Sequence, residues 1–220
     1  PYRNFINKTM YQLIEEASQV LRTPPPEFDF ENPPEDPAEI TKNLAEAMEK
    51  FGGLGLSANQ VGLPYRLFVM RTMHEGDEES KVLPYFNPKL TRVSQETDLM
   101  KEGCLSFPDL FLMIKRSKTI EFTYQDETGE EKSAVLEGIG ARCVQHEIDH
   151  LNGILFLQRA SRLKLERAQK ARVKERKKRL EYERRIALAR YFQEMQSTKD
   201  DSESNDTGKV STDDRVSQES

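Results

Sequence analysis

The sequence lacks any apolar run of the about 18 residues that a membrane-spanning helix needs. Its N-terminal residues also lack the order of basic, apolar and small residues that is typical of a secretory signal. Both absences argue against a membrane protein and against a secreted one. We therefore expect a soluble, cytoplasmic protein that acts without a membrane partner.

Cysteine is scarce, with only Cys104 and Cys143 in the chain. Without a secretory context, two cysteines are more typical of free thiols or of a metal ligand than of a disulfide. Apolar residues are also few, at 36% of the chain against 32% charged residues, so part of the chain should stay outside a core. A length of 220 residues leaves room for one ordinary domain and some appended material.

Charge is distributed unevenly, although the net charge of the chain is only −5. From Arg159 to Arg190 there are 14 Lys and Arg residues against 4 Asp and Glu residues, whereas from Phe192 onward 3 basic residues stand against 8 acidic ones. The body that precedes them is acidic. These shifts predict a catalytic domain over residues 1–158, a basic helical extension over 159–196 and a disordered acidic tail over 197–220.

Apolar spacing predicts the order of the elements. A helical face recurs over residues 8–22 and stops at a proline-rich loop, after which Asp36 and Pro37 supply an N-cap and a first-turn proline for a helix that ends at Gly52. Short β-type runs then lie at residues 67–70, 82–86, 119–124 and 134–139. A helix over 141–152 and a long charged helix over 160–196 complete an α+β chain.

Residues 146–150 read His-Glu-Ile-Asp-His. On a helix, imidazoles four residues apart project from one face and can bind one metal ion, while Glu147 lies where it can take a proton from metal-bound water. Val144, Ile148 and Leu151 indicate that another face of this helix is buried, so the polar groups need partners. The alternative is a solvated helix that happens to hold two histidines.

A catalytic metal site needs a third protein ligand, and the sequence offers three candidates. His74 is the remaining histidine, but it lies in an acidic turn that is typical of a solvated loop. Cys143 lies three residues before His146, where it could approach the site or pack in the wall of a pocket. Cys104 follows Gly103 in a loop that could bring a thiolate to a metal, although the role of a small buried apolar residue fits it as well.

A glycine-rich segment, residues 53–60, ends at Gln60. Its alternate glycines permit close approach of another backbone, and the Gln60 amide is a hydrogen-bond donor. A nucleotide-binding loop does not fit, because the segment has no preceding strand and no Gly-Lys-Ser/Thr ending.

Taken in order, these three segments resemble the signature motifs of the peptide deformylase family. The first motif is usually Gly-x-Gly-x-Ala-Ala-x-Gln, and here Ser57 replaces its first alanine. The second reads Glu-Gly-Cys-Leu-Ser at residues 102–106, and the third reads Gln-His-Glu-Ile-Asp-His at 145–150. The resemblance covers roughly residues 4–157. It implies an α+β fold in which short mixed or antiparallel sheets pack around a central helix that carries the His-Glu-x-x-His motif.

The resemblance also implies an activity, in which hydroxide on the metal attacks the formyl carbonyl of an N-formylmethionyl nascent peptide and formate leaves. Glu147 would be the general base and acid, while Gln60 and the backbone N–H of Leu105 would stabilise the oxyanion. Fe²⁺ would be the native ion, with Zn²⁺, Ni²⁺ or Co²⁺ as substitutes. The implied metal ligands are Cys104, His146 and His150.

Substrate contacts follow from the same resemblance. The implied substrate-binding residues are Leu54, Gly55, Gly103 and Cys143. An extended peptide would pair with the glycine-rich segment like an added strand. Phe111 departs from the family, since many bacterial members carry arginine there, so the preference beyond the methionine stays open. Glu102 and Arg116 are expected to form a supporting ion pair.

Two other functions are compatible with parts of this sequence. A zinc peptidase shares the two-histidine helix and would draw its third ligand from downstream, where Glu166 is available. A binding module would instead use the basic helix, whose run from Lys174 to Arg179 is by default a solvated face. Within the deformylase interpretation, this helix could dock a monomeric enzyme on the ribosome through phosphate contacts.

Overall fold

The structure is a computed structural model that describes residues 11–72 and 80–206. The predicted solvated position of His74, and residues 207–220 of the predicted disordered tail, lie outside these ranges. The chain divides into two compact units, Pro1–Gln169 and Lys170–Ser220. No helix within the described ranges combines the length and the apolar character needed to cross a membrane.

The prediction of a helix over residues 8–22 is wrong for its described part. Residues 11–18 form no helix, and only a short 3₁₀ helix, Gln19–Arg22, follows them. The backbone N–H of Ile14 donates a hydrogen bond to the carbonyl oxygen of Gln60 at 2.9 Å. This hydrogen bond to a distant segment takes the place of one within a helix. Leu21 is nonetheless fully buried, so the apolar residues of this segment serve the core without helical geometry.

The second predicted helix forms as α1, Pro37–Phe51. Asp36 is its N-cap and accepts a hydrogen bond from the backbone N–H of Ala38 at 3.0 Å. Gly52 ends it in the left-handed conformation, with a φ of 70°, where glycine has no Cβ penalty. The buried face of α1 packs on one core cluster through Ile40, Leu44, Ala47 and Met48.

Within residues 11–72 and 80–206, seven strands form two antiparallel sheets. The strands are β1 Gly55–Ser57, β2 Leu67–Arg71, β3 Val82–Val93, β4 Thr97–Cys104, β5 Phe107–Ser117, β6 Thr119–Gln125 and β7 Glu131–Glu137. The larger sheet has the order β1-β2-β3-β6-β7, and β4 and β5 form a separate hairpin. Three strands, β1, β4 and β5, were not predicted from the sequence. The prediction of a strand up to Ile139 is wrong at its end, since Gly138 and Ile139 begin the next helix.

The helix α2, Gly138–Leu151, contacts strands of both sheets and carries the His-Glu-Ile-Asp-His motif. Two 3₁₀ helices accompany it, Ala58–Val61 after β1 and Phe156–Arg159 after α2. The last helix, α3, spans Arg162–Asp206 and therefore continues past the predicted end at residue 196. The predicted site residues thus come from β1, the residue before it and the 3₁₀ helix that follows it, from the β4–β5 hairpin and from α2.

Candidate metal centre and substrate cavity

Three candidate ligand atoms converge beside α2. The Sγ of Cys104 and one ring nitrogen from each of His146 and His150 lie within 4.8 Å of one another. The Cys104 Sγ is 3.1 Å from the Nε2 of His150, and the two imidazole centroids are 5.0 Å apart. Of the described cysteine candidates for the third ligand, Cys104 is the one that joins both histidines in this group.

Local structure explains how Cys104 reaches the histidines. It is the last residue of β4, and the hairpin turns through Leu105 and Ser106 into β5. The strand pairing shifts register between Gly103 and Cys104, and such an irregularity redirects the side chain that follows it. The two histidines lie one turn apart on α2, so they face the same side.

The donor set fits a divalent metal. A thiolate and two imidazoles are ligands that zinc and ferrous iron accept, and three protein ligands leave a position open for water. Within the part of the chain that the structure describes, the buried Nδ1 of His150 and the buried Oε2 of Glu147 have no hydrogen-bond partner. Buried polar atoms without partners are costly, so the unpartnered oxygen of Glu147, which lines the cavity, suits this site to an additional polar or charged occupant.

Burial and neighbouring charges shift the ionisation of the site. Burial raises the pKa of Glu147 to about 7, although the charge of His146 and hydrogen bonds from Ser57 oppose the shift. Burial would lower the pKa of His146, but hydrogen bonds to Cys104 and Glu102 outweigh it and raise this pKa to about 10. Without metal, the imidazole of His146 therefore favours its protonated form, whereas metal binding requires the neutral ring.

The Gln60 amide is held in one orientation. Its Oε1 accepts hydrogen bonds from both the backbone N–H and the hydroxyl of Ser57, each at 2.9 Å. Its Nε2 donates to the Oγ of Ser106 at 3.0 Å and to the Sγ of Cys104 at 3.6 Å. These bonds fix the amide next to the proposed ligand Cys104 and to the turn that contains Leu105 and Ser106.

A cavity of about 630 Å³ opens onto this site, a volume within the usual range for a small ligand. Of the predicted site residues, all but His150 line it: Leu54, Gly55, Gln60, Gly103, Cys104, Leu105, Cys143, His146 and Glu147. The apolar side chains among the remaining lining residues are Leu13, Phe51, Phe107, Leu110, Phe111 and Ile139. His150 lies behind this wall and is only 1% exposed.

Gly55 is required where β1 passes α2. A Cβ at this position would lie 2.8 Å from the Sγ of Cys143 and 2.9 Å from the Oε1 of Glu147, which no side chain could tolerate without a shift. Cys143 is buried in the cavity wall, and burial raises the pKa of its thiol. Because β1 is the edge strand of its sheet, its second edge has no partner strand within that sheet.

Charged residues are buried next to the candidate metal ligands. Glu102 accepts two hydrogen bonds from Arg116, at 2.8 and 3.0 Å, and Arg116 donates to Asp149 at 2.7 Å. The expected ion pair between Glu102 and Arg116 is thus present, and it belongs to a larger group. We call this group the buried ion cluster; its members are Glu102, Arg116, Arg142 and Asp149, and the exposed Arg159 pairs with Asp149 at its edge.

The buried ion cluster contacts the metal centre through Glu102, whose Oε2 lies 3.3 Å from the Nδ1 of His146. Burial would raise the pKa of Glu102, but hydrogen bonds from His146 and Arg116 outweigh it and lower this pKa to about 2. Arg142 and Asp149 were not predicted from the sequence to support the site. Their helical spacing from His146, four residues before and three after, placed both close to the motif and could have indicated them.

Such a fold and site define a class of protein, an α+β domain whose central helix offers two histidines and a glutamate to a thiol from a hairpin. The model of the polypeptide deformylase family matches residues 10–166. A peptide deformylase of Rhizobium meliloti is 43% identical over 125 residues, which are 57% of this chain and 71% of that protein. One from Thermotoga maritima is 39% identical over 155 residues, 69% of this chain and 88% of that protein.

Solved structures agree with the sequence comparisons. A peptide deformylase from Synechococcus elongatus in complex with actinonin has a TM-score of 0.67 at 34% identity, covering 73% of this chain and 86% of that one. A plant peptide deformylase has a TM-score of 0.68 at 32% identity, covering 80% and 94%. The chain therefore belongs to the polypeptide deformylase family, and the predicted family, fold class and type of enzyme are confirmed.

Proposed function

We propose that this chain removes the formyl group from the N-terminal formylmethionine of newly synthesised polypeptides and releases formate. Family membership supports the reaction. The observation that carries the assignment to particular residues is the convergence of Cys104, His146 and His150 within 4.8 Å at a cavity lined by Glu147.

The two histidines and the thiolate of Cys104 would hold one divalent ion, with Fe²⁺ as the native metal and Zn²⁺, Ni²⁺ or Co²⁺ as substitutes. When bound, such an ion supplies Lewis-acid chemistry and lowers the pKa of water. The chemistry of the donor set supports this proposal, since imidazole and thiolate ligands suit these metals better than Mg²⁺ or Ca²⁺.

Glu147 is the general base and the general acid of the proposed reaction. Its carboxylate takes a proton from the attacking water as the new C–O bond forms, and it returns the proton to the amine nitrogen as the C–N bond breaks. Its near-complete burial, at 3% exposure, and a pKa raised to about 7 by that burial support a group that gains and loses a proton near neutral pH.

Gln60 and Leu105 stabilise the carbonyl oxygen as negative charge develops on it. The Nε2 of Gln60 and the backbone N–H of Leu105 are the proposed donors. Support comes from the fixed orientation of Gln60 between Ser57 and Ser106. One N–H of its Nε2 donates to Ser106, and the other, which makes only a long contact of 3.6 Å with the Sγ of Cys104, is the proposed donor to the oxyanion.

The substrate lies along the open edge of β1 in this proposal. Gly55 gives the peptide backbone close access to that edge. The half-exposed side chain of Leu54 and the backbone of Gly103 contact the substrate at the cavity entrance, whereas Cys143 forms part of the wall that receives the methionine side chain.

The basic extension, residues 159–196, is proposed to dock the enzyme on ribosomal RNA, with residues 1–158 as the catalytic domain. The 14 basic residues between Arg159 and Arg190 support phosphate contacts. Deletion of residues 160–220 should then abolish salt-sensitive co-sedimentation with ribosomes. The monomeric state and the cytoplasmic location stay predictions from the sequence.

Release of formate from a formylmethionyl peptide tests the proposed reaction directly, with enzyme loaded anaerobically with iron. Glu147→Gln should lower kcat/KM by about 10²- to 10⁴-fold, the usual contribution of a general base, without loss of metal. Cys104→Ser should lose most of the metal. Glu46→Gln is a matched control, since Glu46 is an exposed residue of α1 outside the cavity lining. Full activity of the Glu147→Gln enzyme would contradict the assignment.

A further inference from the structure

A cation and an aromatic ring lie together at the entrance of the cavity. Lys101 on β4 places its ammonium 4.4 Å from the ring centroid of Phe111 on β5, a distance typical of a cation–π contact. Phe111 is the strand partner of Gly103. All three residues line the cavity, and Gly103 directly precedes the proposed metal ligand Cys104.

The position of the Phe111 ring depends on the absence of a side chain at Gly103. A Cβ at position 103 would lie 2.7 Å from the Cε1 and 2.9 Å from the Cδ1 of that ring. The ring therefore rests directly on the strand backbone, one residue from the metal centre. Phe111 is still 53% exposed, so much of this large apolar side chain remains available for contact.

The ammonium of Lys101 is not neutralised by a neighbouring acid. No carboxylate oxygen among the described residues lies within 4.0 Å of it, whereas the cavity residues Glu102 and Arg142 are paired with each other. Asp109, another charged residue of the lining, is engaged in an interaction of its own. The cavity entrance thus combines an available positive charge with an exposed ring.

We propose that Lys101 and Phe111 form a subsite that selects a glutamate among the first three residues after the formylmethionine. This inference rests on the proposed deformylase function. An extended chain advances about 3.3 Å per residue, so a peptide whose methionine occupies the site brings its next residues past Gly103. The methylene groups of a glutamate pack on the Phe111 ring while its carboxylate meets the Lys101 ammonium.

Amidated formyl-Met peptides with Glu, Gln or Lys at the second, third or fourth position of an alanine background measure this selection. At one position, kcat/KM for the Glu peptide should exceed that for the Gln peptide by about two- to fivefold, the size expected of an exposed ion pair. Added salt should reduce the ratio. Competitive inhibition by the unformylated peptides should follow the same order, which measures binding separately from turnover.

In the Lys101→Gln enzyme, the ratio of kcat/KM for the Glu peptide to kcat/KM for the Gln peptide should fall to about one. Phe111→Ala should also reduce this ratio. Lys115→Gln is the matched control, because Lys115 is an exposed lysine of the same hairpin that does not line the cavity. The control should keep the ratio of the parent enzyme. Lys101→Gln and Lys115→Gln each replace an exposed side chain, so neither substitution disturbs the core.

Equal kcat/KM for Glu and Gln peptides at all three positions, or a ratio that survives Lys101→Gln, would overturn the subsite and leave the deformylase function standing. A preference for the Lys peptide would also overturn it, since Asp109 would then dominate the entrance. Failure of the metal-loaded parent enzyme to release formate from any of the peptides would overturn the proposed function and the subsite together.

Discussion

The buried ion cluster and the helix α3 use the same kinds of residues in opposite surroundings. Glu102 and Arg116 of the cluster are 6% and 5% exposed, and each contacts more than one charged partner. On α3, by contrast, Arg162 pairs with Glu166 at 2.9 Å, but their side chains are 93% and 49% exposed. The two regions differ in the solvent around the charges and in the number of partners, not in the chemistry of the pairs.

The presence of an ion pair therefore does not by itself determine how much the pair stabilises the folded protein. An exposed pair is screened by water and contributes about 0–1 kcal/mol, whereas removing one partner of a buried pair leaves an uncompensated charge at a cost of about 3–5 kcal/mol. The buried ion cluster also positions a proposed metal ligand, a role that the ion pairs of α3 do not have. Its Glu102 contacts the Nδ1 of His146 and fixes the ring that is proposed to bind the metal.

Arg116→Ala should have the largest effect. It removes the shared partner of the buried carboxylates of Glu102 and Asp149, which keep only Arg142 and Arg159 as arginine partners. The free energy of unfolding should therefore fall by about 3 kcal/mol, the lower end of the range for a broken buried pair. The affinity for metal should fall as well, because Glu102 would no longer be held against His146. Urea unfolding of the metal-loaded protein and a metal titration measure the two effects.

Arg92→Ala supplies the comparison for that variant, since Arg92 pairs with Glu121 at 3.4 Å while 77% of its side chain is exposed. It should change the free energy of unfolding by less than about 1 kcal/mol. If Arg116→Ala is too unstable to purify, Arg116→Lys can replace it, because lysine keeps the charge but loses the bidentate contact. Its loss in free energy of unfolding should lie between those of Arg92→Ala and Arg116→Ala. Equal losses in Arg92→Ala and Arg116→Ala would remove the distinction between the regions.

Glu102→Gln should have an intermediate effect of about 2 kcal/mol at neutral pH, because the amide keeps some of the hydrogen bonds. The Glu102 pKa is lowered from 4.5 to about 2 in the folded protein. Its stabilising contribution is therefore complete above about pH 4.5 and is lost as the pH falls through about 2. Unfolding measured from pH 6 to pH 2 should show a weaker dependence on pH in the variant, and equal slopes would contradict the role of this carboxylate.

Local patterns were sufficient to predict some parts of the molecule. The bounds of α1 follow from Asp36, Pro37 and Gly52, and each of these residues influences only the helical turn next to it. The spacing of His146 and His150 likewise needs only a helix. For these features the physical cause lies within a few residues, so the sequence was enough.

The hairpin that supplies Cys104 was harder to predict. In β5, Leu110, Leu112 and Ile114 are buried, but the outward residues Phe111 and Met113 are apolar too, which hides the two-residue period of a strand. In β4 the buried position is the acid Glu102, so no apolar alternation marks that strand either. A buried acid becomes intelligible only once Arg116 and α2 are in place.

Helix α3 should show the smallest effect. A double-mutant cycle with Arg162→Ala and Glu166→Ala should give a coupling energy below about 0.5 kcal/mol, because both side chains are exposed and the pair spans one helical turn. The cycle is measured by urea unfolding at low salt and again at high salt, where any coupling should decrease. A coupling as large as that between Glu102 and Arg116 would show that burial does not explain the contrast between the two regions.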